Sequence, residues 1–176
     1  ISELQSYAKI PLWVSIDQEG GNVNRLKSHY GFPGFVSPKY LGEINNIDTT
    51  RYYASLTART LSDLGFNLNF APGVDLNINP ECPIIGKIRR RLSKDSEIVI
   101  EHAKTWITEQ KKENIVSCLK HFPGHGSSKT DTHLGIADIS STWSPKELVP
   151  YKKLIDEDMA DMIMTSHVFN SHLDNK

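Results

Sequence analysis

The chain lacks several features that mark whole classes of protein. Its 176 residues contain no run of eighteen apolar residues, so no segment is predicted to span a membrane. The only cysteines are Cys82 and Cys118, and no CxxC motif is present, which excludes a disulfide scaffold. The formal net charge is -1, so the composition does not indicate a basic surface for nucleic acid.

Motifs for nucleotide cofactors are also missing. Neither a GxGxxG sequence nor a P-loop occurs in the chain. The chain begins Ile1-Ser2-Glu3, without Met, a basic start or an apolar leader segment, and we expect it to be cut from a longer protein. We expect any targeting segment to lie outside residues 1–176, so the compartment stays open.

Short apolar runs predict the strands. Runs of this length, bounded by turn residues, are typical of buried strands. They lie at Pro11–Ile16, Phe66–Phe70, Ile115–Leu119 and Met162–Thr165. Cys118 falls inside the third run and is interpreted as a small buried hydrophobe.

Helical patterns separate these runs. The first covers Thr49–Leu64, with Asp48 as a possible N-cap and Gly65 as the residue that ends it. The second covers Glu97–Lys112. The third begins at Ser144 with an S-x-x-E capping box and runs toward Met159. Because strands alternate with helices, the sequence predicts an α/β fold with a parallel sheet.

Chemically unusual segments follow every predicted strand. This distribution favours a (β/α)₈ barrel, whose active site is built from all the loops after its strands, over a doubly wound sheet with one switch point. A complete barrel needs roughly 250 residues, so residues 1–176 are predicted to be about half to two-thirds of one catalytic barrel, truncated at both ends. Such a piece would expose open sheet edges through which it could self-associate.

The densest chemistry lies between Lys120 and His133. Lys120, His121 and His125 occupy one loop rich in Gly and Pro, and Asp131-Thr132-His133 follows it. In a D-x-H pair the carboxylate can orient the imidazole and raise its basicity, which would make His133 an acid/base group near neutral pH. A solvated loop is one alternative. A metal site is another, although the spacing matches no common zinc motif.

Two further clusters carry charge. Asp17-Gln18-Glu19-Gly20-Gly21 with Arg25 follows the first strand, and its carboxylates and guanidinium suit a polyhydroxylated or amide substrate. The alternative is a salt-bridged turn. The basic run from Lys87 to Lys94 lacks interleaved aromatic residues, and we interpret it as a solvated loop containing at most one functional Arg.

Three segments together resemble glycoside hydrolase family 3. Residues 17–25 resemble its DQEGGRVQR segment, and residues 69–75 resemble its FAPVxD segment. Residues 120–133 resemble the KHFPGHGxxxxDSH signature of the β-N-acetylglucosaminidase branch. The segments occur in the family order and extend over nearly the whole chain.

The resemblance implies a retaining hydrolase that removes non-reducing-end N-acetylglucosamine, often from bacterial peptidoglycan fragments, without a metal or other cofactor. It implies that His133 is the proton donor and acceptor and that Asp131 orients it. Sugar-binding roles are implied for Asp17, Arg25, Arg90, Lys120 and His121. The segment around Arg90 is two residues longer than the family pattern. A bacterial cytoplasmic location and an envelope or secreted one remain equally open.

The retaining mechanism also needs a carboxylate nucleophile. In the family this Asp lies in an ISDDL-like segment on a later strand, and no such segment occurs here. We therefore expect the nucleophile beyond Lys176 and expect the isolated piece to be inactive. Two alternatives are a homologue that binds amino sugars without cleaving them and a phosphorylase that uses phosphate instead of water.

Overall fold

The chain folds into strands joined by helices, as its sequence predicts. The computed structural model describes residues 1–83, 85–130 and 135–174. The helices are α1 (Ser2–Tyr7), α2 (Pro38–Ile44), α3 (Ile47–Asp63), α4 (Ser96–Lys112) and α5 (Val149–Asp156), with 3₁₀ turns at Ser28–Tyr30 and Pro145–Leu148. The strands are β1 (Ser15–Ile16), β2 (Leu68–Asn69), β3 (Val116–Phe122), β4 (Ala137–Asp138), β5 (Met162–Thr165) and β6 (Val168–Phe169).

The main sheet has four parallel strands in the order β1-β2-β3-β5. The order follows the chain, and helices connect each strand to the next. A doubly wound sheet reverses its strand order at a switch point, and this sheet does not. The α/β prediction is confirmed, and the consecutive winding is that of an incomplete (β/α)₈ barrel.

Two helix starts differ slightly from the sequence prediction. Helix α3 begins at Ile47, because the Asn46 side chain accepts a hydrogen bond from the Thr49 amide at 2.8 Å. The prediction of Asp48 as the cap was therefore wrong. Asp48 lies in the first turn instead, where a negative charge favours the helix dipole. Helix α4 is capped by Asp95, and it ends at Lys112 as predicted.

The third predicted helix is shorter and begins differently. Ser144 caps it by accepting from the Lys146 amide, as expected, but the first turn is a 3₁₀ turn and α5 ends at Asp156 rather than near Met159. Glu147, the acidic residue of the capping box, is only 1% exposed. Its carboxyl group accepts a hydrogen bond from the Gly126 amide, far from its own helix.

The main core lies between the sheet and helices α4 and α5. One face of α4 packs against residues of the two central strand regions and of α5, in a cluster formed by Val74, Leu76, Val99, Ile100, Ala103, Ile107, Leu119, Tyr151 and Leu154. Cys118 is buried with a free thiol, as the apolar run predicted. This packing holds β2 and β3 in register and so fixes the ends of both strands.

The edge strands are less buried than the sequence suggests. β1 comprises only Ser15–Ile16 of the predicted Pro11–Ile16 run, and Trp13 is largely exposed. On β5, Ile163 is also exposed. Both strands lie at the edges of the described sheet, where one neighbour is missing. None of the helices within the described ranges is long and apolar enough to cross a membrane.

Candidate functional site

The carboxyl ends of the strands surround one open pocket. Its volume is about 280 Å³, near the lower limit of the ~300–1,000 Å³ usual for ligand pockets. The lining residues come from the carboxyl ends of β3 and β5 and from the segments that follow β1, β2, β3 and β5. They are Asp17, Ile85, Arg90, Lys120, His121, His125, Met164, Thr165, Ser166 and His167. This size suits one small polar ring better than an extended chain.

Lys120 is the buried cation at the base of the pocket. Its side chain is 1% exposed, and Nζ lies 2.5 Å from Asp17 Oδ1 and 2.5 Å from Glu19 Oε1. An unpaired ammonium group would be costly at such depth, and the two carboxylates neutralise it. Asp17 is one-third exposed and also contacts Arg25 Nη2 at 3.4 Å. Lys120 and Asp17 together therefore present both hydrogen-bond donors and acceptors to the pocket.

Arg90 forms a bidentate ion pair with Glu19. Nε and Nη2 donate to the two carboxylate oxygens at 2.9 and 2.6 Å, and both side chains are almost fully buried. Burial acts to raise the pKa of Glu19, but hydrogen bonds and charge from Arg90 and Lys120 outweigh it, and the net pKa is lowered. Glu19 thus stays ionised and fixes both cations in place.

His121 is held between Arg90 and Asp75. Arg90 Nη2 lies 3.1 Å from His121 Nε2, and His121 Nδ1 lies 2.7 Å from Asp75 Oδ2. A guanidinium can only donate, so Nε2 must accept and the ring proton must be on Nδ1, where it is donated to Asp75. The neighbours therefore fix both the tautomer and the orientation of this imidazole.

Asp75 anchors the loop that follows β3. Besides the His121 ring, its Oδ1 accepts hydrogen bonds from the amides of His121 and His125 at 3.2 and 2.8 Å. Burial acts to raise its pKa, but the interactions with His121 and with the His125 amide hold the pKa at about 2. Asp75 is thus a buried carboxylate that is fully engaged in binding the protein itself.

The loop is also packed tightly against the backbone. A Cβ at Gly126 would collide with the Leu76 carbonyl, so only glycine allows this approach. His125 is 2% exposed, and its Nε2 has no hydrogen-bond partner among the described residues. Burial, the largest influence, lowers the pKa of His125. Its neutral form is therefore favoured at the edge of the pocket.

The sugar-binding residues named from the sequence come together. Asp17, Arg90, Lys120 and His121 all line the pocket, and Arg25 joins them through Asp17. The rest of the basic run does not join them: Lys87 pairs with Glu81, and Arg91 donates to the Gly86 carbonyl. Asp131 and His133 lie outside the described residues.

Two carboxylates take a larger part in the site than the sequence predicts. Glu19 was grouped with Asp17 but assigned no role of its own, although it binds both buried cations. Asp75 was not among the proposed site residues. Both follow predicted strands directly, and this position was the available signal. Their partners lie 46 to 101 positions further along the chain, from the Asp75–His121 contact to the Glu19–Lys120 contact. No local sequence pattern contains contacts of this range.

Comparisons with known proteins agree with the resemblance noted in the sequence. A family model described as the glycosyl hydrolase family 3 N terminal domain matches residues 2–176. Beta-hexosaminidase A of Pseudoalteromonas piscicida is 34% identical over 181 residues, covering 97% of this chain and 29% of that protein. A beta-hexosaminidase of Tolumonas auensis is 32% identical over 181 residues, covering 100% of this chain and 52% of the relative.

Solved structures give the same result. A family 3 beta-N-acetylglucosaminidase from Paenibacillus sp. str. FPU-7 superposes with a TM-score of 0.90 at 30% identity, covering 99% of this chain and 34% of that one. NagZ from Neisseria gonorrhoeae, in complex with N-trifluoroacetyl-D-glucosamine, has a TM-score of 0.88 at 27% identity, with 99% and 53% covered. The chain thus spans about a third to half of the length of these relatives.

Proposed function

Because the chain belongs to glycoside hydrolase family 3, we propose that the protein containing it is a retaining glycosidase that removes non-reducing-end β-linked N-acetylglucosamine. Peptidoglycan fragments or similar glycans are the proposed substrates. The observation that carries the proposal is the pocket at the strand ends, where Lys120, Arg90 and His121 are held by buried carboxylates. Lys120 and Arg90 can donate to a sugar's hydroxyl oxygens, and the Asp17 carboxylate beside them can accept from its hydroxyl groups.

The pocket is organised before any ligand enters. Lys120 and Arg90 share the carboxylate of Glu19, and Asp75 fixes the His121 ring. Holding donors in place in advance reduces the entropy lost on binding and keeps them aligned during the reaction. We propose that Asp17 and Lys120 bind hydroxyl groups deep in the pocket and that Arg25 closes its more exposed side.

The acid/base role is proposed for His133, oriented by Asp131. The proposal rests on the D-x-H sequence pattern and on the family membership. Near neutral pH an imidazole can donate a proton to the leaving-group oxygen and then accept one from water. Asp131 and His133 follow the pocket-lining residues Lys120, His121 and His125 closely in the sequence.

We propose that the nucleophile lies outside residues 1–176. Three carboxylates surround the described pocket, and each has a structural partner. Glu19 is paired with Arg90 and Lys120, Asp75 with His121, and Asp17 with Lys120 and Arg25. The nucleophile of a retaining enzyme forms a bond to the anomeric carbon, and each of these three carboxylates is held instead by its cationic or imidazole partner. The length of the relatives leaves room for this carboxylate elsewhere.

Replacing His133 with Ala in the full-length protein tests the proposal. We expect cleavage of N-acetylglucosaminides with poor leaving groups to slow by about 10²–10⁴-fold, the usual contribution of a general acid. Activated aryl substrates need less protonation and should slow less. Replacement of the exposed His29 with Ala is the matched control and should leave both rates unchanged.

Product analysis separates the remaining possibilities. A retaining hydrolase releases the sugar first as the β-anomer, which NMR detects during the initial turnover. Inverted product would overturn the retaining mechanism. Sugar binding without turnover by the full-length protein would favour the binding homologue instead. A sugar 1-phosphate formed in phosphate buffer would identify the phosphorylase.

A further inference from the structure

Glu147 contacts the Gly-rich loop after β3 at Gly124 and Gly126. It lies in the 3₁₀ turn before α5 and is 1% exposed. Its Oε2 accepts a hydrogen bond from the Gly126 amide at 3.1 Å. Its side chain also fills the space beside Gly124, where an added Cβ would lie 2.5 Å from the Glu147 Cβ. The carboxyl group is thus fitted to this part of the loop.

No cation accompanies this carboxyl group among the described residues. Within the part of the chain that the structure describes, Glu147 forms no ion pair, whereas the buried Glu19 forms two. Burial raises the pKa of Glu147, and the nearby Asp75 raises it further, against the lowering influence of Ser127 and of the Ser144 amide. Such a group is expensive to bury, so it must contribute something that an apolar side chain of equal size would not.

The Glu147 carboxyl group provides a hydrogen-bond acceptor for one buried amide, that of Gly126. Gly126 cannot move toward another acceptor freely, because its carbonyl already accepts from the Asn79 amide at 2.9 Å and its Cα packs against Leu76. Loss of the carboxyl oxygen would leave the Gly126 amide unsatisfied in the interior. The loop would then have to shift to recover a partner.

Gly126 also stands at the start of the segment that leads to the acid/base pair. Asp131 follows it by only five positions. On the far side of that segment, β4 is held by pairing with β6. We propose that Glu147 is a positioning residue, which fixes the start of this segment through Gly126 and thereby aligns His133 with the scissile bond. The inference rests on the proposed acid/base role of His133.

Glu147→Met and Glu147→Gln in the full-length enzyme form the test. Met has a similar length, but its thioether sulfur is only a weak acceptor. We expect kcat on poor leaving groups to fall on the order of 10²-fold, the cost of a misplacement of about 1 Å. Activated aryl substrates should lose much less, and KM should change little. Gln retains an acceptor oxygen and should restore most of the rate.

A double variant separates positioning from general stability. If Glu147 acts through His133, the His133→Ala/Glu147→Met enzyme should be no slower than His133→Ala alone. The matched control is Glu109→Met, which removes another buried glutamate on α4, 5% exposed, and should give no leaving-group dependence. If Glu147→Met does not fold, Glu147→Asp, which withdraws the carboxyl group by one methylene, should show the same leaving-group pattern.

The rates of these variants either support or contradict the positioning role of Glu147. Equal losses on both substrate types, or multiplicative losses in the double variant, would overturn the positioning role while leaving the function of His133 intact. If His133→Ala itself cleaved every substrate at the normal rate, the proposed acid/base role would fail, and the role of Glu147 would fail with it.

Discussion

Buried carboxyl groups near the Gly-rich loop after β3 have pKa shifts of opposite direction in two regions. Around the pocket, Glu19 and Asp75 are paired with cationic or imidazole groups, and the pKa of each is lowered. Beside Gly124 and Gly126, Glu147 accepts from the Gly126 amide and has no cationic partner among the described residues, and its pKa is raised. The first arrangement holds charged donors for a ligand, whereas the second holds the backbone of the loop itself.

The largest effect is expected from Lys120→Met. The substitution leaves Asp17 and Glu19 without their shared ammonium group, and breaking a buried ion pair by removing one partner costs about 3–5 kcal/mol. Denaturant unfolding of the full-length protein measures this loss. Sugar affinity should fall as well.

Lys152→Met is the matched control for this prediction. Lys152 pairs with Asp156 on the surface, where both groups are largely exposed, and such pairs contribute little. A similar loss of stability in Lys120→Met and Lys152→Met would mean that the buried ion pairs of Lys120 stabilise the fold no more than an exposed pair does.

A smaller effect is expected from Asp75→Asn. The pKa of about 2 lies below the ordinary value of 3.8, so the ionised carboxylate contributes about 2 kcal/mol. That contribution is present above pH ~3.8 and is lost as the pH falls toward 2. The stability difference between wild type and Asp75→Asn should therefore shrink on acidification, which unfolding measurements between pH 6 and 2 can follow. A constant difference over this range would show that ionisation of Asp75 does not stabilise the fold.

The smallest effect, and the sharpest comparison, comes from the pH dependence of Glu147→Gln. A carboxyl group with a raised pKa favours folding while it is protonated, and this advantage is lost as the pH rises above the ordinary value of 4.5. Gln does not titrate. The stability of the variant relative to wild type should therefore improve from pH 4 to pH 8, which parallel unfolding curves would measure. A decline in the stability of the variant relative to wild type over that range would mean that the pKa of Glu147 is lowered, as that of Asp75 is.

The sequence predicted the sheet better than it predicted the contacts of the site. Apolar runs such as Ile115–Leu119 identify strands because burial acts on each segment locally, and polar residues at their ends identify the pocket side. Arg90 could not be placed on Glu19 in this way, since it lies 71 positions away in a segment without regular structure. The S-x-x-E pattern likewise predicted a cap at Ser144 correctly, but it contained no information about Gly126.

The ion pair between Lys120 and Asp17 joins positions 103 residues apart. Contacts of such long range form late in folding, because the chain entropy of closing the loop must be paid before they contribute. Helices α3 and α4 can dock from neighbouring stretches of chain, whereas the pocket requires β1, β2, β3 and β5 to be assembled side by side. During synthesis, this pocket therefore cannot form completely before the chain through His167 has left the ribosome, and ligand binding would report that all four strands of the main sheet are in place.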